Sequence, residues 1–312
     1  MERPQVWTVP PNAEGERLDR WLVAQLPELS RSRIQALIHE NYIRLDDRAT
    51  KPSARLTHGA RVAIEIPPDP FATIEPEPMA LDILHEDDDI LVVNKPAGLV
   101  VHPAPGHEHG TLIHGLLQGR ALAPGSDPSR PGVVHRLDKA TSGALVVAKS
   151  ERAYDRLVAQ FKAQTVGKTY LALVHGVFAE AEGRIDAPIG RHRHHPQEQS
   201  IRSAGAGKAA LTDFKILQAF DHRTLLAVYP RTGRTHQIRV HLAAIEHPVV
   251  GDPVYGRKDN SEGLMLHAWR LTIDHPTRDE RMTFTAALPP RFQRYAEAVE
   301  GIATPTPRSA SE

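Results

Sequence analysis

The residues best suited to chemistry lie in one short segment, residues 135–143 (HRLDKATSG). A single carboxylate, Asp138, stands between the cations Arg136 and Lys139, just before an apolar run over 144–148. Because nearby positive charge favours the charged form of a carboxyl group, we expect Asp138 to be ionised. A positioned carboxylate can act as a nucleophile or as a general base. Taken alone, the segment indicates a surface aspartate in a polar turn more readily than a catalytic one.

A second cationic segment covers residues 231–242 (RTGRTHQIRVHL). Thr235 is placed to cap a helix whose apolar face carries Ile238 and Leu242. Arg234 precedes that helix and Arg239 lies in its early turns. A capped helix start with several cations suits phosphate binding or pairing with a carboxylate, although a solvated basic helix end has the same pattern.

Two further segments each contain a predicted strand. Tyr170 begins a strand in residues 168–174 (KTYLALV), where its ring can pack in a core or stack on a nucleobase. Residues 93–103 (VNKPAGLVVHP) predict a strand that enters a Pro-Gly turn, which by itself indicates an ordinary hairpin.

Composition narrows the class of protein. The 312 residues include no cysteine, which excludes disulfides, thiolate catalysis and cysteine-ligated zinc. No stretch approaches the roughly 18 to 20 apolar residues that span a membrane, and residues 1–5 do not resemble the start of a signal peptide. We therefore expect a cytoplasmic protein without a membrane partner. The net charge of zero conceals an acidic strip, residues 67–90, with eight acidic and no basic residues.

The chain is predicted to contain two domains. Residues 1–66 form a small unit, with two helices, the second capped by Ser30, followed by short strands. Residues 67–80 contain five prolines and predict an extended, acidic linker. Residues 81–300 form the larger domain, and residues 301–312 are predicted to be disordered.

Apolar and β-branched runs predict the strands of the larger domain, and helical spacing predicts its helices. The strands are 90–94, 144–149, 169–178, 211–219, 224–229, 265–273 and 282–287, and the helices are 111–118, 151–164, 236–246 and 290–300. Since strands and helices do not alternate strictly, we expect an α+β fold with a mixed, mainly antiparallel central sheet and peripheral helices.

The order of these segments resembles the RluA/RluD family of pseudouridine synthases. The matching segments are 94–103 (NKPAGLVVHP), 135–143, 168–170, 232–241 (TGRTHQIRVH), 249–256 (VVGDPVYG) and 266–271 (LHAWRL). The resemblance covers about residues 81–298. Within the family, the chain is most similar to the RluD-type enzymes, which act on large-subunit rRNA. Residues 16–66 resemble the small RNA-binding domain of ribosomal small-subunit protein four, which implies RNA contacts by Arg31 and Arg33.

The resemblance implies that the chain converts specific uridines of RNA to pseudouridine. Asp138 then corresponds to the catalytic carboxylate, and Arg239 to its basic partner. Tyr170 corresponds to the residue that stacks on the flipped uracil, and Arg136 to the residue that fills the gap left by that base. Whether Asp138 attacks the sugar, attacks the base or removes a proton from C2′ is left open by the sequence.

The same resemblance implies that Lys139, Arg234 and His236 contact RNA. The expected partner is large-subunit (23S) rRNA or a ribosomal precursor particle, and the protein is expected to be a monomer. The isomerisation is redox-neutral, so no cofactor and no metal are expected. Arg231 departs from the usual pattern, in which an acidic or apolar residue precedes Thr-Gly-Arg.

Three other functions are compatible with parts of the sequence. His192, His194 and His195 could indicate a metal-dependent hydrolase, but the cluster is flanked by cations and has no carboxylate at ligand spacing. A glycosidase also breaks a bond at C1′, yet it typically needs two cooperating carboxylates. An RNA-binding assembly factor would use the first domain without catalysis.

Overall fold

The computed structural model describes residues 5–27, 29, 31–67, 74–125, 127, 129–195, 197–203, 205–257, 261 and 263–300, with backbone alone at Ser32 and Glu300. The chain divides into two compact units, residues 1–72 and 73–312. The apolar clusters of the first unit and those of the second share no residues. The predicted cap Ser30 and the predicted tail 301–312 lie outside the described residues.

The first unit combines two helices with a small antiparallel sheet. Its elements are β1 (Gln5–Thr8), a 3₁₀ turn (Pro11–Ala13), α1 (Leu18–Gln25), α2 (Arg31–His39), β2 (Ile43–Leu45) and β3 (Arg61–Ile64). The strands pair in the order β1-β3-β2. Leu18 and Leu22 of α1 and Ile34 and Leu37 of α2 are fully buried in one core. The helical spacing of the apolar residues is thus confirmed, since it places them on the inner faces.

Asp19 is a fully buried carboxylate in that first unit. It accepts hydrogen bonds from Arg17, Arg31 and Gln35, at distances of 2.8 to 3.2 Å. The Arg17 guanidinium is the largest of the influences that hold the pKa of Asp19 far below its usual range. Two guanidinium groups on one carboxylate leave a net positive charge where the starts of α1 and α2 meet.

The second unit is built on a mixed sheet. Its strands are β4 (Asp82–Glu86), β5 (Ile90–Lys95), β6 (Ser142–Ala148), β7 (Gly167–His175), β8 (Glu182–Asp186), β9 (Ile189–Arg191), β10 (Gln199–Ile201), β11 (Leu211–Ala219), β12 (Arg223–Pro230), β13 (Leu266–Asp274) and β14 (Arg281–Thr285). Within the described residues, nine of them form one sheet in the order β4-β5-β6-β13-β7-β12-β11-β8, with β14 also beside β13. The β6–β13 pair is parallel and the other pairs are antiparallel.

Helices cover parts of both faces of this sheet. They are α3 (Leu112–Leu116), α4 (Glu151–Ala163), α5 (Gln237–Ala244) and α6 (Ala296–Glu300), with a 3₁₀ turn at Pro290–Tyr295. Along β5, Ile90 and Val92 join the cluster that includes α4, whereas Leu91 and Val93 join the cluster that includes α3. This alternation follows from the two-residue period of a strand.

The predicted fold class is confirmed, and each of the predicted strands of the larger domain is present, β11 with the predicted ends and the others with ends shifted by one to three residues. Five strands escaped prediction: β1, β4, β8, β9 and β10. The helix predicted over 290–300 is a 3₁₀ turn followed by the short α6, and the helix predicted over 236–246 is the shorter α5. None of the described helices has the length and apolar character needed to cross a membrane.

Residues 74–80 of the predicted linker run along the second unit. Ile74 packs against the cluster around Leu112, and the Glu77 N–H donates to the His114 carbonyl at 3.0 Å. Residues 68–73 lie outside the described residues. The role of 67–80 as a linker stays a prediction, and the compact second unit already includes its latter half.

Gly143 is required where β6 meets β13. Its φ of +120° is rarely adopted by other residues, and an added Cβ would overlap the Ala268 carbonyl oxygen of the neighbouring strand. We expect Gly143→Ala to lower the free energy of unfolding by about 2–5 kcal/mol, from backbone strain and overpacking together.

Gly233→Ala is the matched control, because its Cβ would meet nothing within 4 Å and its φ is ordinary. Urea unfolding of both variants measures the difference. Equal stability of the two variants would contradict the tight β6–β13 contact.

Candidate active site

Asp138 lies in the turn that leads into β6. The Thr141 N–H donates to the Asp138 carbonyl at 3.0 Å, which closes this turn. The Gly98 N–H donates to the carbonyl of Lys139 at 2.8 Å. The turn after β5 therefore holds the backbone next to Asp138 through main-chain contacts.

Lys95, the last residue of β5, connects the same two turns through hydrogen bonds of its side chain. Its side chain is fully buried, and Nζ donates to the carbonyls of Pro96, Leu99 and Lys139 at 2.9, 2.9 and 3.2 Å. Burial lowers the pKa of Lys95 to about 7, against the opposing influence of the Asp138 carboxylate. One ammonium group thus satisfies three carbonyls and sets the position of the Asp138 backbone.

Arg239 of α5 contacts the side chain of Asp138. Its Nη1 donates to Asp138 Oδ2 at 3.3 Å, although the two residues are 101 positions apart in the sequence. The Arg239 side chain is 5% exposed and that of Asp138 is 20% exposed. The predicted pairing of this carboxylate with a basic partner is therefore present in the structure.

Asp252 holds the same guanidinium more tightly. Arg239 donates from Nε and Nη2 to its two oxygens, at 2.7 and 2.8 Å. Burial alone would raise the pKa of Asp252, but the bonds from Arg239 lower it below the usual value. The N–H groups of Val254 and Tyr255 donate to Asp252 Oδ1 at 2.9 and 3.1 Å. This bidentate pair fixes the guanidinium plane, so that Nη1 points at Asp138.

His236 lies beside Asp138. Its Nδ1 is 2.9 Å from the Tyr255 hydroxyl, which itself accepts the Gln199 N–H at 2.8 Å. Its Nε2 is 3.9 Å from Asp138 Oδ1. Burial lowers the pKa of His236, so the neutral form is favoured near pH 7.

These groups open into a cleft of about 540 Å³ whose size suits a small planar ligand or a nucleoside. Tyr170 of β7 lines it and is half-buried between two apolar clusters. Burial raises the pKa of Tyr170, so its hydroxyl stays neutral. Tyr170 thus lines the same cleft as Asp138, and its role as a platform for a base stays a prediction.

Cations surround the cleft. Arg136, Lys168, Arg231 and Arg234 all line it. Lys168 Nζ donates to the Thr232 carbonyl at 3.3 Å, and burial lowers its pKa to about 8. Arg234 donates to the Ala209 carbonyl at 3.0 Å. The lining therefore offers positive charge for a polyanion next to a single carboxylate, Asp138.

The remaining predicted residues lie outside this cleft. Lys139 lines a neighbouring hollow that also contains Asp138, His236 and Arg239. Arg31 and Arg33 belong to the first unit; Arg31 is bound to Asp19, as described above, and Arg33 is half-buried. Their contacts with RNA stay a prediction.

Three features of the site escaped prediction. Asp252 follows a glycine and precedes a proline, which indicates only a turn, and Lys95 ends an apolar strand in a segment taken as a hairpin. Thr235 was expected to cap α5, but the residue before the helix is His236, with φ +55° and no side-chain cap. Instead, Gln237 Oε1 accepts the Arg234 N–H at 3.0 Å, and the left-handed backbone turns His236 into the cleft.

The histidine cluster has no ligand geometry. His192 Nδ1 accepts the N–H groups of His194 and His195 at 3.3 and 3.2 Å. Within the described part of the chain, the group suited to hold a metal lies elsewhere and does not include these histidines.

Known proteins with this sequence pattern define the class. The model of the RNA pseudouridylate synthase family matches residues 89–244. The chain is 41% identical to an uncharacterized RNA pseudouridine synthase, YlyB, of Bacillus subtilis, over 93% of this chain and 95% of that protein. It is 41% identical to ribosomal large subunit pseudouridine synthase D of Neisseria meningitidis, over 90% of this chain and 78% of that protein.

A solved structure agrees. Human RNA pseudouridylate synthase domain containing 1 has a TM-score of 0.53 and 29% identity, covering 74% of this chain and all of that chain. The protein therefore belongs to the RNA pseudouridine synthase family, as the resemblance implied. It is an isomerase that forms pseudouridine in RNA.

The role of Asp252 can be tested by removing its charge. We expect Asp252→Asn to lower kcat by about 10- to 100-fold, because a loosened Arg239 no longer places Asp138. KM for RNA should stay near the wild-type value, since the cations lining the cleft are unchanged. The measurement is tritium release from C5-labelled uridine in RNA, because the new glycosidic bond displaces that hydrogen.

Asp87→Asn is the control for lost stability. Asp87 is another well-bonded carboxylate, held by His85, His275 and two backbone N–H groups outside the cleft. A wild-type kcat in Asp252→Asn, or an equal loss in both variants, would refute the positioning role.

Proposed function

We propose that Asp138 is the catalytic carboxylate and that the substrate is a uridine of large-subunit rRNA. The observation that carries the proposal is the Arg239–Asp138 contact at the edge of a cleft that also holds Tyr170. Asp138 keeps 20% of its side chain exposed, so it is held and accessible at once.

The reaction defines what the cleft has to do. The uracil leaves C1′, turns, and is rejoined through C5, which then loses its hydrogen. Asp138 could attack the sugar, attack the base or remove a proton from C2′. Each role requires a carboxylate close to the sugar and shielded from bulk water. The Arg239 contact and the loop held by Lys95 supply that fixed position.

The base has to leave the RNA stack before it can react. Tyr170 is then the platform on which the extruded uracil lies, where stacking contributes about 1–3 kcal/mol. Arg136 is exposed at the mouth of the cleft, where its planar guanidinium can fill the space left by the base. Because Arg136 is two residues from Asp138 in the sequence, the base would be extruded next to the carboxylate.

The remaining cations contact the backbone of the RNA. Arg234 and Lys139, one on each side of Asp138, are assigned to phosphates, and His236 to the reacting nucleotide. Such contacts position the RNA without reading its sequence. The reaction transfers no electrons to an acceptor and needs no cofactor.

The kind of RNA is inferred from relatives. The Neisseria meningitidis protein and its Pseudomonas aeruginosa counterpart, 40% identical to this chain, are both named for the large ribosomal subunit. We infer that this chain acts as a monomer in the cytoplasm on 23S rRNA or a precursor particle. The first unit, with Arg31 and Arg33, contributes RNA affinity.

Asp138→Asn tests the chemistry. The amide preserves shape but removes the charge, so we expect complete loss of pseudouridine formation with RNA affinity within about twofold of wild type. Tritium release and filter binding give the two values. Asp82→Asn, at an exposed carboxylate of β4, is the control and should keep full activity.

Activity retained by Asp138→Asn would refute the assignment of the catalytic carboxylate. Wild-type protein that binds 23S rRNA but forms no pseudouridine would instead favour an assembly factor.

Deletion of residues 1–72 tests the first unit. This cut keeps residues 74–80, which pack on the second unit. We expect a folded enzyme that still isomerises uridine in a short stem-loop. Its affinity for a long rRNA fragment should be at least about tenfold below that of the full chain, since basic contacts are lost. Circular dichroism tests folding, and binding curves of the full and the shortened chain with the long fragment test affinity. Unchanged affinity for long RNA would exclude an RNA-binding role for residues 1–72.

A further inference from the structure

Glu77, His109 and His114 bring three potential metal ligands together in the second unit. One ligand atom of each lies within 4.8 Å of the others. Glu77 Oε1 is 3.3 Å from His109 Nδ1 and 3.8 Å from His114 Nε2. None of the three residues lines the Asp138 cleft or the neighbouring hollow.

The spacing suits a tetrahedral ion. Zinc binds histidine nitrogen and carboxylate oxygen at about 2.0–2.2 Å, which places neighbouring ligand atoms about 3.3–3.6 Å apart. The two distances from Glu77 Oε1 fall close to that separation. Two histidines and one carboxylate leave a fourth position for water, and His109, whose side chain is 82% exposed, keeps this position open to solvent.

The ligands are already oriented by neighbouring groups. The Gly110 N–H donates to both oxygens of Glu77, at 3.2 and 3.0 Å. Thr111 Oγ1 lies 2.7 Å from His114 Nδ1, while the Thr111 N–H is 3.3 Å from the same nitrogen. Because the Thr111 N–H donates to Nδ1, the His114 ring is held with Nε2 facing Glu77 Oε1. Metal-bound carboxylates are typically hydrogen-bonded in the way that Gly110 bonds Glu77.

The three ligands come from two separate stretches of chain. Glu77 belongs to residues 74–80, and its N–H donates to the carbonyl of His114 at 3.0 Å. His114 is almost fully buried within α3, whereas His109 precedes that helix. A bound ion would thus join residues 74–80 to α3 and to the residues just before that helix by three further bonds.

We propose that Glu77, His109 and His114 bind one divalent ion of the zinc class as a structural clip. Nitrogen-rich ligand sets favour zinc and its neighbours over magnesium or calcium. The clip is separate from pseudouridine formation, because its ligands do not contact the cleft. It fastens residues 74–80 to α3 and stabilises the folded state by binding it selectively.

Metal titration of the chelator-stripped full chain tests the proposal. We expect one equivalent of Zn²⁺ bound with micromolar or tighter affinity, and Co²⁺ should give a visible absorption band typical of tetrahedral nitrogen and oxygen ligands. His109→Asn should weaken Zn²⁺ binding at least tenfold. Because His109 is exposed, this variant is expected to fold; Glu77→Gln provides a second test.

The control is the triple variant His192→Asn, His194→Asn, His195→Asn, which removes the other histidine-rich surface. It should keep the stoichiometric ion and the cobalt band, and Zn²⁺ should raise the unfolding temperature of wild type and control but not of His109→Asn. Three results would overturn the proposal: no binding below 100 equivalents of Zn²⁺ at roughly 10 μM protein, binding unchanged in His109→Asn and Glu77→Gln, or binding lost in the triple variant.

Discussion

The site depends on one guanidinium group shared by two carboxylates. Arg239 is buried, and a buried charge is tolerated only when it is paired and hydrogen-bonded. Asp252 supplies that pairing with a bidentate contact, and Asp138 adds a single longer bond. Removing one partner of such a buried group typically costs about 3–5 kcal/mol. The position of Asp138 therefore depends on the buried Arg239–Asp252 pair, and loss of that pair would also destabilise the fold.

The sheet is what brings these groups together. β6 follows the Asp138 turn and pairs in parallel with β13 through Gly143, while β13 pairs with β7, which carries Tyr170. On the other side, β5 pairs with β6 and ends at Lys95, whose ammonium group holds the backbone next to Asp138. The positions of Lys95 and Tyr170 near Asp138 therefore depend on strand pairs formed by segments distant in sequence.

The sequence was most informative where burial is complete. Residues 90–94 and 144–149 are nearly continuous apolar runs, and both are strands buried on two faces. The strands that escaped prediction are short or at an edge; β8, for example, is mostly exposed and so lacks an apolar pattern. Motif resemblance singled out Asp138, Arg239 and Tyr170, which line one cleft in the structure, and their roles stay a prediction. It gave no role to Asp252, because a carboxylate in a Gly-Asp-Pro turn is recognised only once its distant partner is known.

The two carboxylates that contact Arg239 differ in burial and in the number of hydrogen bonds that they accept. Asp252 is fully buried, and its two oxygens take two guanidinium bonds and two backbone N–H groups. Asp138 accepts one guanidinium bond at Oδ2, while Oδ1 faces the His236 side of the cleft at 3.9 Å. An enzyme that needs a reactive carboxylate cannot saturate it with donors, since each donor lowers its basicity and blocks access. Asp252 therefore takes the larger share of Arg239, and this division leaves an oxygen of Asp138 available for the role proposed for it above.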